Sequence, residues 1–164
     1  MKKLQVLFFL ILFISCSLAA ATITVCASGC DHTTIAEAVT AAGSGDVIDI
    51  QYTGAAYTED YITIAKNLTI QGQGQTSTII QAAATQAAAD DRVFHVFAGY
   101  TVIFENLTIQ NGNANGTGSS GIQLGGGVNI STNASSNVSF NQVTITNCRA
   151  GTFGGGIYIS GSDG

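Results

Sequence analysis

Polar and apolar residues alternate with a period of two along much of the chain. Residues 47–50 (VIDI) and 61–64 (YITI) are two examples, and this period is typical of β-strands with one buried face. Segment 35–42 differs, because its apolar residues at i, i+4 and i+7 would share one face of a helix. Thr34 and Glu37 form a capping-box pattern at its start. The sequence therefore predicts a β-rich protein with one short helix near the N-terminus.

Strand-like segments recur along the chain. Residues 67–72 (NLTIQG) are followed by 106–111 (NLTIQN) and 142–147 (QVTITN), at offsets of 39 and 36 residues. Residues 125–131 (GGGVNIS) return as 154–160 (GGGIYIS) after 29 residues. Internal repeats of this length indicate structural units that stack on one another. Each long repeat has room for about three short strands separated by turns.

Alignment of the repeats predicts which side chains stack in the core. The expected aliphatic columns are Leu68, Leu107 and Val143 in the first, and Ile70, Ile109 and Ile145 in the second. Asn111 and Asn147 occupy the same place at a strand end, and we expect their amides to form a ladder between repeats. The chain contains no proline, which suits strands whose amides all donate to a neighbour.

With this pattern the chain resembles a right-handed parallel β-helix of the pectin-lyase-like superfamily. Residues 23–48 resemble the N-terminal cap of those proteins, and residues 66–72 resemble the first coil that follows. The Gly-Gly-Gly-Val and Gly-Gly-Gly-Ile units are similar to the Gly-Gly-x-Ile repeats of polymorphic outer-membrane proteins and adhesin-like β-helices. The companion Phe-x-x-Asn motif is only approximated, at 104–106 and 140–142. The resemblance covers residues 22–160 and implies an all-β solenoid with an N-terminal amphipathic capping helix.

The N-terminus predicts export. Lys2 and Lys3 precede an apolar run, and small residues at 17–19 and at 19–21 offer two cleavage sites. We therefore expect a signal peptide at 1–21, with the cleavage point open between Ala19 and Thr22. Cys16 has a weak lipoprotein-like context, and we do not expect a lipid anchor there. No later stretch is long and apolar enough to span a membrane.

Removal of the leader leaves two further units. We expect an N-terminal cap at 22–46, comprising an extended segment and the short helix, and β-helix coils at 47–164. These coils lack a closing cap, so the chain is interpreted as the N-terminal fragment of a longer protein, since a solenoid needs terminal caps.

Charge is scarce and mainly negative. Charged residues make up 9% of the chain, against about 25% in a typical domain. Without residues 1–21 the chain has three basic and ten acidic side chains, a formal charge of −7. Binding to nucleic acid is excluded on this basis, because a phosphate backbone requires a basic surface.

The cysteines fit an oxidising compartment. Cys26 and Cys30 predict a local disulfide. A metal site that recruits these thiols with His32 is the weaker interpretation, because the spacing is not a standard zinc pattern. Cys148 is left over, either as a small buried residue or with a partner outside this chain.

Candidate chemistry is sparse. Glu105 is the only acid beside a repeat strand, whereas a lyase or glycosidase needs clustered or paired carboxylates. We interpret Asp90-Asp91-Arg92 as a solvated loop, Arg149 as a surface residue and His95 as a packed histidine. We therefore predict no catalytic residue, no cofactor and no metal ligand in this chain.

Two functions remain. The first is an exported extracellular or cell-surface protein, in the outer membrane if bacterial, that is adhesin-like and binds a polysaccharide or a cell-surface protein. Flat rows of Thr, Gln and Asn side chains can hydrogen-bond to sugar hydroxyls without burying charge. The alternative is a polysaccharide-active enzyme, pectate-lyase-like or pectin-methylesterase-like, with its active site in downstream coils. The superfamily resemblance allows both, because one fold hosts several functions.

Overall fold

The computed structural model describes residues 19–115 and 123–161. Most of the predicted leader, with Cys16, lies outside these residues. The described elements, in chain order, are β1 (Thr22–Val25), α1 (Ile35–Ala41), β2 (Val47–Ile50), β3 (Tyr57–Thr58), β4 (Ile62–Ile64), β5 (Leu68–Gln71), β6 (Ile79–Gln81), β7 (Phe94–Val96), β8 (Thr101–Gln110), β9 (Asn113–Ala114), β10 (Val128–Thr132), β11 (Asn137–Thr146), β12 (Arg149–Ala150) and β13 (Ile157–Gly161), with a 3-10 turn at Gln86–Ala88. The protein is thus mainly β with one described α-helix, as predicted.

Helix α1 begins where the capping pattern predicts. The Thr34 side chain accepts a hydrogen bond from the Glu37 amide at 3.2 Å, which confirms Thr34 as the N-cap. The described hydrogen bonds do not include the return bond of a capping box, from the Thr34 amide to the Glu37 carboxylate. The carboxylate at this helix end comes from Glu59, which accepts bonds from the amides of Ile35 (2.7 Å) and Ala36 (2.9 Å). A carboxylate there satisfies amides that have no partner within the helix and offsets the helix dipole.

The described strands pair in parallel. One sheet has the order β1-β2-β5-β8-β6-β3, with β11 also paired to β8, and a second has the order β13-β10-β7-β4. A two-stranded sheet joins β12 and β9. Paired strands lie about one repeat apart in sequence, because the chain crosses to another sheet before it returns.

The core lies against the inner faces of the two larger sheets. In the first sheet Ile48 aligns with Ile70, and Ile70 aligns with Phe104. Phe104 lies between Phe94 of the second sheet and Phe140 of β11, with ring centroids 5.1 and 5.2 Å away. Each fully buried side chain of this kind contributes roughly 1.5–3 kcal/mol.

The predicted core columns are wrong for Leu68 and Ile70, the members from the first repeat. Leu107 pairs with Val143 and Ile109 with Ile145, but Leu68 pairs with Val102 and Ile70 with Phe104. Leu68 and Ile70 therefore do not stack on Leu107 and Ile109. The neighbour of Ile109 on that side is Ile80 of β6.

The cause of the register error is a bend within β8. Asn106 has a φ of 54°, in the left-handed region, which interrupts the period-two alternation. Val102 and Phe104 before the bend and Leu107 and Ile109 after it are all fully buried. Strand β8 therefore supplies two pairs of core side chains, one before the bend and one after it. The repeat at 106–111 contains the second pair, Leu107 and Ile109.

Close backbone approach explains Gly126 of the first Gly-Gly-Gly unit and the separate Gly112. A Cβ added to Gly126 would collide with the carbonyl oxygen of Arg149, and one on Gly112 would collide with that of Gly126. Real Cβ atoms do not occupy such space, so the turns between sheets need glycine at these positions.

No helix among the described residues is long and apolar enough to cross a membrane.

Candidate functional site

A ladder of outward-facing side chains crosses the second sheet. Thr63 aligns with His95, His95 with Asn129, and Asn129 with Tyr158. Each lies between apolar neighbours on its strand, and because side chains alternate across a strand, these four point away from the core. Neighbouring members of the ladder are about 4.8 Å apart, the spacing between paired strands.

Aromatic side chains surround this ladder in two groups. In the first, His95 stacks on Phe97 with ring centroids 4.5 Å apart, and the Tyr61 ring centroid lies 6.0 Å from that of His95. In the second, Phe153 stacks on Tyr158 at 6.5 Å. We call these five residues the aromatic face. Phe97 is 41% exposed and Phe153 is 63% exposed, so both groups present a ring to solvent.

The middle of the ladder is buried, and glycine turns precede its last two strands. A Cβ on Gly125 would lie 2.7 Å from the Asn129 Cα atom, and one on Gly154 would lie 2.7 Å from the Tyr158 Cβ atom. The two turns thus approach the start of their own strands closely. Asn129 is buried. The accessible parts of the face are therefore the rings beside Asn129, not the asparagine itself.

The surroundings of His95 disfavour its protonated form. Only 7% of the residue is exposed, and its Nδ1 atom has no hydrogen-bond partner in the described part of the chain. Burial lowers the pKa of His95, and the positive charge of Arg92 lowers it further, while Asp91 acts in the opposite direction. A buried imidazole that contacts two rings and resists protonation suits a packing role better than that of a proton carrier.

An ionic group adjoins the first aromatic group. The Arg92 Nε atom lies 3.1 Å from Asp91 Oδ1, and both side chains are buried. The Arg92 guanidinium carbon lies 6.0 Å from the centre of the Tyr61 ring. This location corrects the interpretation of Asp91 and Arg92 as solvated loop residues. Burial raises the pKa of Asp60, and repulsion from Asp91 and Asp90 adds to the effect, so the group is predominantly acidic.

Amide rows follow the outer face of the first sheet. Asn147 donates from Nδ2 to Asn111 Oδ1 at 2.6 Å, the contact predicted from the repeats. Gln110 donates to Gln81 at 3.0 Å, and Asn141 to Glu105 at 2.9 Å. Because the amides are used within the rows, these side chains tie neighbouring strands together.

The other predicted residues lie apart from the aromatic face. Cys26 and Cys30 form a disulfide, as predicted. Cys148 is a half-buried free thiol whose pKa is raised by burial, and it donates to the Thr146 carbonyl oxygen at 3.2 Å. Arg149 is exposed in β12. Within residues 19–115 and 123–161, no group of three or more histidine, cysteine or acidic side chains could hold a metal ion.

The sequence contains a signal for the aromatic face in its shorter strand-like segments. Segments 61–64, 93–97, 128–131 and 157–160 are all strand-like, and their alignment places Thr63, His95, Asn129 and Tyr158 on one row. Segment 93–97 shares few letters with the more similar repeats at 125–131 and 154–160, so His95 stands out in the sequence only as an isolated histidine. No protein-family model and no curated protein sequence matches the chain.

Proposed function

We propose that this chain is an exported extracellular or cell-surface protein that binds an uncharged glycan through its aromatic face. The signal peptide, the right-handed parallel β-helix and the kinship with adhesin-like proteins of the pectin-lyase-like superfamily are parts of this proposal. Parallel pairing of strands about one repeat apart supports the β-helix. The basic start and the apolar run of the N-terminus support export.

The single observation that carries the glycan proposal is the pair of exposed rings on a polar ladder. Phe97 and Phe153 each present a ring backed by a second ring, which holds its orientation. An aromatic ring offers a flat apolar surface with a negative face, which attracts the slightly positive C–H groups of a sugar. Thr63 and Tyr158 add hydroxyl groups at the same face, and these can bond to sugar hydroxyls.

The negative charge near the first aromatic group favours a neutral glycan as the ligand. Asp60, Asp90 and Asp91 lie near the first aromatic group and outnumber Arg92. The chain as a whole has a formal charge of −5. A polyuronate or sulfated glycan would be repelled, so a neutral polysaccharide is the favoured ligand.

Binding to immobilised neutral polysaccharides, with a polyuronate as the charged comparison, tests the proposal. Phe97→Ala should weaken binding to the neutral glycan by up to about tenfold, since an aromatic contact of this kind is worth about 0.5–1.5 kcal/mol. Tyr52→Ala is the matched control, because Tyr52 is 63% exposed but lies outside the ladder. Equal losses for the two variants, or stronger binding to the polyuronate, would contradict the proposal.

Two further outcomes would favour other functions. Retention on cells that persists after glycan removal and is lost after protease treatment would indicate a protein receptor instead. Shortening of the polysaccharide during the assay would favour the polysaccharide-active alternative, which the proximity of Asp91, Arg92 and His95 makes worth measuring.

A further inference from the structure

Ala21 is part of the fold although it belongs to the predicted leader. Its amide donates to Asp46 Oδ1 at 2.8 Å, and its carbonyl oxygen accepts a bond from the Val47 amide at 2.8 Å. The second bond continues the pairing of β1 with β2, which begins at Thr22 and Val47. Ala21 therefore joins the N-terminal strand to the first sheet.

Asp46 is a buried acid with no ion-pair partner among residues 19–115 and 123–161. Its residue is 8% exposed, and its second oxygen, Oδ2, accepts a bond from the Gly43 amide at 2.7 Å. No lysine, arginine or histidine side chain in the described part of the chain lies within ion-pair distance of it. Lys66 is engaged elsewhere, with the carbonyl oxygens of Thr40 and Ala42. A buried carboxylate is expected to have a compensating positive charge.

We propose that signal-peptide removal cuts the chain between Ala19 and Ala20, and that the new α-ammonium group of Ala20 supplies the positive charge beside Asp46. This inference rests on the proposed export. Water hydrolyses the Ala19–Ala20 peptide bond in the signal peptidase, so the leader leaves with a carboxylate on Ala19 and the mature chain begins with the amine of Ala20.

The alternative cut, after Ala21, conflicts with the fold. It would remove the amide that bonds to Asp46 and the carbonyl oxygen that accepts from Val47. The cut after Ala19 retains both bonds and uses the small residues Ser17 and Ala19, the type that the peptidase requires. The amide of Ala21 bonds to Asp46, and consecutive Cα atoms are about 3.8 Å apart. The amine of Ala20 therefore lies only one residue along the chain from the amide that contacts the carboxylate.

The first test determines the N-terminus of the exported protein. The full chain is expressed in a secretory host, and the product is analysed by N-terminal sequencing and intact-mass measurement. We expect a single start at Ala20. A start at Thr22, or at any other residue, would overturn the inference and leave the proposed export standing. A chain that keeps its leader would instead contradict the proposed export.

The second test measures the charge pairing. Chains that begin at Ala20 and at Thr22 are prepared separately, and each is compared with its Asp46→Asn variant by urea unfolding. The Ala20 form should have a folded-to-unfolded ratio about 5–30-fold higher than the Thr22 form. Asp46→Asn should lower this ratio by a larger factor in the Ala20 form. Asp31→Asn, at an exposed acid bonded to Thr24, is the control and should affect both forms equally.

A third measurement tests the charge pairing even if Asp46→Asn or the Thr22 form fails to fold. Acetylation of the Ala20 amine removes its charge and leaves Ala21 and Asp46 intact. The acetylated chain should unfold at a lower urea concentration than the free amine. Equal midpoints for the two, or equal effects of Asp46→Asn in both chain lengths, would overturn the pairing.

Discussion

Replacement of Asn111 by alanine removes a polar junction between three segments. Asn111 is buried, with a φ of 58°. Its Nδ2 group donates to the carbonyl oxygens of Ala83 (3.2 Å) and Ala84 (3.1 Å), and its Oδ1 atom accepts from Asn147 at 2.6 Å. The side chain thus joins the end of β8 to the loop after β6 and to the end of β11.

The expected loss of stability follows from these contacts. Three hydrogen bonds at about 1 kcal/mol each give about 3 kcal/mol. The left-handed backbone adds roughly 1 kcal/mol, because alanine tolerates this conformation less well than asparagine. Asn111→Ala should therefore destabilise the protein by about 4 kcal/mol, a large share of the 5–15 kcal/mol typical of a domain. Asn147→Ala, at an exposed residue with one of these bonds and a φ of 48°, should cost about 2 kcal/mol.

Urea unfolding followed by circular dichroism measures both losses, with an unchanged slope as the check that the two states are the same. Asn111→Gly separates the two contributions, since glycine accepts the backbone conformation without the bonds. It should recover about 1 kcal/mol of the alanine loss. The reasoning is refuted if Asn111→Ala costs no more than Asn147→Ala, or if glycine restores full stability.

Two further predictions concern the turns and the aromatic face. Gly126→Ala should destabilise the fold by at least about 2 kcal/mol in urea unfolding, because its Cβ would collide with the carbonyl oxygen of Arg149; Gly156→Ala, whose nearest contact would be an ordinary 3.5 Å, is the control and should cost much less. Because burial lowers the pKa of His95 below its ordinary 6.5, the folded state binds fewer protons than the unfolded state. The stability that comes from neutral His95 is fully present well above pH 6.5 and is lost as the pH falls below this value. The urea midpoint should therefore decrease between about pH 7.5 and 5.5, and it should decrease less in His95→Gln. An identical decrease in the variant would exclude His95 as the cause.

Local patterns predicted the elements well. The period of two located the strands at 47–50 and 61–64, and Thr34 marked the start of the helix, because each depends only on nearby residues. The disulfide was also predictable, since two cysteines four residues apart have few alternatives. The carboxylate of Glu59 at the helix start was not, because Glu59 follows β3 and lies 24 residues away from Ile35 in sequence.

The register could not be predicted from similarity alone. The identical letters at 67–71 and 106–110 suggest one column, yet these segments lie at different positions in the sheet. The left-handed residue Asn106 changes which face the alternating side chains occupy. Gln142 occupies the same place in β11, with a φ of 52°. A glycine at these positions would have predicted a left-handed residue, whereas asparagine and glutamine do not.

The same bends explain why the outer surface is the place to look for function. Apolar side chains before and after Asn106 remain buried, and Val143 and Ile145 after Gln142 align with Leu107 and Ile109. The inner face must therefore repeat one kind of residue to keep successive strands stacked. The outward row carries no such requirement, so Thr63, His95 and Tyr158 differ in kind although they occupy equivalent places. Packing accounts for His95, which is buried, but Phe97 and Phe153 beside the row remain exposed; these two rings are therefore the positions at which the proposed glycan contact is tested.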